Sequence, residues 1–337
     1  MKWTDVIVVV VALAVGFGLG RATHPRALED ELGSIDSFQR SLEETDWLTR
    51  SYLSSSFLVG LNPDNLPEAL EVLEPHLQWL NTDEFRLFMM AWARFDPSGA
   101  FEQAQAWPVE VRRKGGAAAM YAWGSYSPLQ AVRELAEVED SELQMFWGGR
   151  LLAGWVHGEY RDSANDYIAA FPDGPTRRKY LETLAWEIAK QGPDAVRQWA
   201  ESVAEDPPGF KKAVFLKATN SLAGIDAPST ARWLEDHIYR DYVDNALVAV
   251  AGVWALTDGT AAMSWLTGLP ADTKRGAAVR AGYRVWYNHT PKDAQRWLIS
   301  ASPARAVNPA VRFMVDQTKE EQPRISQEWV ARLKGKP

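Results

Sequence analysis

The chain has 337 residues, 46% hydrophobic and 24% charged, enough to bury a large globular core. A net charge of −8 argues against a general nucleic-acid binder, whose binding surface is normally basic. The absence of cysteine rules out a disulfide framework, a thiolate nucleophile and any Cys metal site.

From Val6 to Gly20 runs an uncharged apolar stretch between Lys2 and Arg21, with Trp3 and Thr4 able to extend it into a lipid interface. Residues 1–22 therefore read as a transmembrane anchor. A signal peptide is the alternative, although no A-x-A cleavage site precedes Arg21. Gly16 and Gly20 have the G-x-x-x-G spacing that lets two membrane helices approach, so a homodimer through them is an expectation. Arg21 and Arg26 after the span outnumber Lys2 before it, which favours a cytoplasmic body. Export of a large body behind an N-terminal anchor favours the other side. The expectation is a single-pass protein of a bacterial-type inner membrane with its body in the periplasm.

Residues 23–56 form an acidic segment with Leu32, Ile35, Phe38 and Leu42 at helical spacing, the pattern of a juxtamembrane helix or linker. Residues 57–337 then alternate helical runs with Pro/Gly/Asp turns and carry no strand alternation. The fold class read from this is all-α.

A repeat organises that body. Short motifs such as "WARFDPSGA" (92–100), "WGSYSPLQA" (123–131) and "WYNHTPKDA" (286–294) place Trp before a turn and a small residue after it. Taking the small residue as marker gives Ala69, Ala100, Ala131, Ala164, Ala195, Ala231, Ala261, Ala294 and Ser326, a period of about 32 residues. Trp lies seven to nine residues upstream in six units, at Trp92, Trp123, Trp155, Trp186, Trp254 and Trp286. A second aromatic follows the marker by two to four residues at Tyr167, Trp199, Trp233, Trp265, Trp297 and Trp329. Such a period predicts a right-handed α-solenoid of about nine helical hairpins. Asp96, Ser127 and Thr290 read as N-caps of each second helix, with Pro tolerated at the next position. The Ala then sits where two backbones converge, and the upstream Trp covers it.

Two helices per unit, an aromatic on the first and Ala early in the second resemble the tetratricopeptide-type α-solenoids over roughly residues 57–335. The Gly expected within the first helix is absent from most units. The resemblance implies a non-enzymatic protein that binds partner proteins through a concave face.

Catalytic and ligand motifs are sparse. His24, His76, His157, His237 and His289 stand in no metal-ligand spacing, and no nucleophile elbow or phosphate loop occurs outside the apolar N-terminal run. His157 and His289 fall in turns between paired helices and read as solvated. No metal or cofactor is expected. Asp96, Asp162, Asp226 and Asp258 fall at helix starts, where capping accounts for them. A toroidal glycosidase with paired acids, or a glycan-binding or cell-wall-binding protein using its Trp, is the alternative function.

One surface feature recurs. Arg112, Arg113, Lys114, Arg177, Arg178, Lys179, Lys211, Lys212, Lys274 and Arg275 follow their markers at a similar interval, at the starts of first helices. In a solenoid they form a basic edge, which reads as a solvated, solubilising face or as a site for an acidic protein tail, anionic lipid or a wall polymer. The function expected is a membrane-anchored scaffold for protein–protein interactions in a bacterial-type envelope.

Overall fold

The computed structural model describes residues 33–158, 161–205, 209–301, 304–320 and 322–333. The expected membrane anchor and its Gly16/Gly20 pair lie outside them. Among the described residues no helix is long and apolar enough to cross a membrane. The described chain is all-helical and has no strand. It divides into two compact units, 1–154 and 155–337.

In the first unit α1 (Ile35–Glu43) and α2 (Trp47–Val59) lead into α3 (Leu66–Leu73), α4 (Thr82–Ala93), α5 (Pro97–Ala106), α6 (Val109–Tyr126) and α7 (Pro128–Ala136). The segment read as a juxtamembrane helix or linker, 23–56, is helical from Ile35 and contributes to the packed body from there onward. Phe38 is buried and stacks on Phe57 at 4.7 Å, and its ring centroid lies 6.2 Å from that of Phe88. Burying that much aromatic surface outweighs the polarity of the rest of α1. The helix α8 (Ser141–His157) follows.

Glycine permits unusually close helix contact in the first unit. A Cβ on Gly124 of α6 would fall on the Leu151 carbonyl oxygen of α8, and one on Gly154 would fall on the Tyr121 carbonyl oxygen. The Ser125 hydroxyl donates to the Gly154 carbonyl at 3.2 Å across the same contact.

The second unit continues with α9 (Arg161–Ala169), α10 (Pro175–Ala189), α11 (Pro193–Ser202), α12 (Phe210–Glu235), α13 (Asp244–Thr257), α14 (Gly259–Gly268), α15 (Gly276–His289), α16 (Pro291–Ala301), α17 (Asn308–Thr318) and α18 (Pro323–Leu333). α12 is two helices broken at Asp226, whose φ of −150° and ψ of 91° are non-helical and which precedes Pro228 by two residues. The helices pair as hairpins. The first helices, α10, the 210–225 part of α12, α13, α15 and α17, pack side by side in one layer.

The register of the hairpins differs from the sequence expectation by one residue at three points. The buried position is the fourth after the N-cap, whose amide donates to the N-cap carbonyl: Ala100 to Asp96, Ala131 to Ser127, Val196 to Gly192, Ala262 to Asp258 and Ala294 to Thr290. Ala195 and Ala261 are only half-buried, while Val196 and Ala262 are fully buried. At the broken helix the same position is Thr230 in place of Ala231, buried, with its hydroxyl donating to the Asp226 carbonyl at 2.7 Å. Counted from these buried positions, the repeat becomes more even than the small-residue markers suggest. The second-helix aromatics at Trp199, Trp233, Trp265, Trp297 and Trp329 all fall seven residues after the N-cap. Burial three residues apart on one helical face explains why small residue and aromatic travel together.

The upstream Trp also sorts by geometry. Trp92, Trp123, Trp254 and Trp286 accept the N-cap amide through their carbonyls and share one position. Trp186 does not, because the N-cap amide of Gly192 donates to the Ala189 carbonyl at 3.1 Å. Trp186 is 66% exposed, and buried Ile188 takes the covering position in its unit.

The capping expectation holds for carboxylates. Asp96, Asp226 and Asp258 accept from the amides of Gly99, Ser229 and Ala261 at 3.0, 2.9 and 2.9 Å. Ser127 has the cap backbone but makes no side-chain cap bond.

Candidate functional site

The basic edge residues sit at first-helix starts, and many of them meet groups of the chain itself, most at the surface and Arg177 in the interior. Arg113 pairs with Glu142 of α8 at 2.9 Å, with its guanidinium 4.2 Å from the Phe146 ring. Arg177 is only 8% exposed, stacked over Phe210 at 4.9 Å. Among the described residues its Nε and Nη2 have no hydrogen-bond partner, as is the case for Nε of Arg112. Lys211 lies over the Tyr242 ring at 5.1 Å and donates to the Glu201 carbonyl at 3.2 Å. Lys212 reaches Asp244 at 4.0 Å, and Lys274 reaches Asp241 at 2.7 Å and Asp244 at 3.4 Å. Arg275 donates to the Thr267 carbonyl at 2.9 Å. Lys114, Arg178 and Lys179 are exposed to solvent. The contacts of Arg113, Arg177, Lys211, Lys212 and Lys274 reach a neighbouring hairpin, so much of the edge joins hairpins to one another. Arg177, Lys211 and Arg275 share one position along their helices, equally far ahead of the next N-cap.

Lys274 holds the Asp241 carboxyl below the usual carboxylate range through its hydrogen bond and charge, and its own ammonium is pushed up in return. Burial raises the phenols of Tyr167 and Tyr283 far above the usual tyrosine range.

His157, read as a solvated turn residue, is exposed at the end of α8 and also meets Glu187 at 3.2 Å. Glu187 is buried and also takes Lys190 Nζ at 2.6 Å. The buried carboxylate is thereby matched by a cation within hydrogen-bond reach, which accounts for its place in the fold. Among the described residues there is no His/Cys/Asp/Glu cluster able to hold a metal ion.

Two surface features remain. An open cleft of about 640 Å³ separates the hairpin turn at Asp258 from that at Thr290, lined by Leu256, Thr260, His289, Asp293, Arg296 and Trp297 among others. Asp293 is already paired with Arg296 at 3.1 Å. Trp286 also borders it, but its ring is buried against Gly259, where a Cβ would strike it.

The second feature lies outside the sequence expectations. α13 has the sequence DNALVAVAGVWALT and is apolar without interruption from Ala246 to Leu256. Ala246, Leu247, Val250, Ala251 and Ala255 are buried inward, whereas Val248, Ala249, Gly252 and Val253 are only half-buried and Leu256 is 53% exposed. A surface helix normally turns polar residues outward, so an apolar outer face is the unusual element here. The neighbouring helices extend it through Leu216, Ala281 and Val285, and a Cβ on Gly252 would lie 3.9 Å from the Val285 side chain. The signal for this face in the sequence is the missing polar side of 246–256, which the stronger repeat of Trp, turn and Ala overshadows.

No family model, no curated protein and no solved structure matches this chain.

Proposed function

We propose that the chain is a right-handed α-solenoid of about nine tetratricopeptide-like hairpins that works as a non-enzymatic scaffold, receiving partner proteins on the layer of first helices. The observation that carries this reading is the outward apolar face of α13, set in a layer of regularly spaced helices. Stacked hairpins supply a wide, rigid surface, and an unpartnered apolar face on it favours a protein ligand over a small one. Residues 1–22 tether the scaffold to a bacterial-type inner membrane, with the body in the periplasm.

The test is affinity capture of the tagged chain from detergent-solubilised membranes, with a reporter fusion at the C-terminus for sidedness. The expected result is one or more reproducible protein partners. Capture of nothing beyond background would end the scaffold reading. The open cleft beside Trp297 supports the glycan-binding alternative; a tryptophan fluorescence change on adding glycan fragments would favour it instead.

A further inference from the structure

From the face of α13 we infer that the partner segment is an amphipathic helix with a small apolar stripe flanked by carboxylates. This rests on the scaffold reading and names the chemistry of its ligand. Three adjacent first helices, 210–225 of α12 with α13 and α15, make the surface. Between them they carry five cations, Lys211, Lys212, Lys217, Arg280 and Arg284, and a single acid, Asp244, at the start of α13. That balance is the reverse of the whole chain, which has 44 acidic and 36 basic residues.

The fold already occupies several of these charges. Lys212 is engaged by Asp244, Arg280 by Asp316 at 2.8 Å, and Lys211 lies over Tyr242. Among the described residues Lys217 and Arg284 have no ion pair. They stand on the helices either side of α13, with the apolar stripe of Val248, Ala249, Gly252 and Val253 between them. A cation on each flank of an apolar stripe calls for a carboxylate on each flank of the ligand's stripe. The floor is low because its residues are small. A Cβ on Gly252 meets only the Val285 methyl, and a Cβ on Gly224 meets nothing within 4 Å. Helices already fill the layer and offer no strand edge, so an added strand finds no hydrogen-bonding partner. A helix laid on the floor satisfies its own backbone and needs only side-chain contact.

The probe is a fluorescein-labelled helical peptide of about 20 residues with an Ala/Leu stripe flanked by Glu, set against a twin with Lys in place of Glu. Anisotropy titrations of the full chain in mild detergent should show the Glu peptide binding at least about tenfold more tightly than the Lys twin, with the difference shrinking as salt rises. Gly252→Glu fills open space at a helix interior, so it should melt no lower than the parent while weakening the Glu peptide at least about tenfold. Lys217→Glu with Arg284→Glu should invert the preference between the twins. Equal binding of the twins, absence of binding, or an unaffected Gly252→Glu variant would each overturn the inference. So would self-association of the chain that Gly252→Glu abolishes, because the occupant would then be a second copy. Membrane capture separates the two levels. Partners recovered equally by parent and Gly252→Glu leave the scaffold reading standing and this face unused, whereas capture of nothing by the parent removes the scaffold reading itself.

Discussion

The indole N–H of Trp233 donates to Glu201 Oε1 at 2.8 Å, joining the second helix of one hairpin to that of the hairpin before it. Trp199 does the same to Asn165 at 2.9 Å and Trp265 to Glu235 at 2.6 Å. Each Trp therefore serves its own hairpin through its ring and the preceding hairpin through its nitrogen. Trp233 is buried and stacked on Phe215 at 5.1 Å, so its bond forms in a drier setting than that of Trp265. A double-mutant cycle of Trp233→Phe and Glu201→Gln, followed by denaturant unfolding, should give a coupling energy of about 1 kcal/mol. Strict additivity would mean that the bond adds nothing beyond ring packing.

The register of the hairpins is open to a direct test. Ala262 is fully buried and Ala261 is not. Ala262→Leu should destabilise by about 1–3 kcal/mol through overpacking, and Ala131→Leu should behave likewise. Ala261→Leu should stay within about 0.5 kcal/mol of the parent. Thermal melts of the three variants suffice, and a reversed order for the adjacent pair would show that the N-cap is misplaced.

Gly259 and Trp286 make a third case. The Trp286 ring occupies the space that a Cβ on Gly259 would need. Gly259→Ala should cost about 1–3 kcal/mol even though alanine is the better helix former, because the ring has to move. Replacing Trp286 with Leu in the same chain should remove most of the penalty of the glycine substitution. A Gly259→Ala protein as stable as the parent would mean that the ring has another place to go.

The Asp241–Lys274 pair sets a pH dependence. Lys274 holds the Asp241 carboxyl low, so its contribution is present above the unfolded carboxylate value and is lost as pH falls through the lowered folded value. The raised ammonium of Lys274 makes a contribution that persists below its unfolded value and is lost as pH rises through the raised one. In low salt the parent should melt above Asp241→Asn near neutral pH, and the gap should close between about pH 5 and pH 2. A gap that is unchanged across that range would show that the pair does not titrate as an ion pair.

The all-helical class, the hairpin period and the Asp caps are legible in the sequence because each depends on local chemistry. Pro and Asp fix a turn within a few residues, and apolar spacing fixes a helix. Register is legible to within one residue and no closer. Ala195 and Ala261 are as small as their neighbours require, and only the packed partner decides that Val196 and Ala262 go inside. Trp186 matches its counterparts in spacing, yet the turn after it leaves Ile188 in the covering position and the indole in solvent. The cations of the basic edge are visible as a pattern, but their partners are not. Glu142, Phe210, Tyr242 and Asp244 lie roughly one repeat along the chain from the cations they meet, and only the stacking of hairpins brings them together. The outward face of α13 belongs with them. Its apolar run is written in residues 246–256, but a run apolar on all sides reads as buried until the neighbouring helices show that one side is left uncovered.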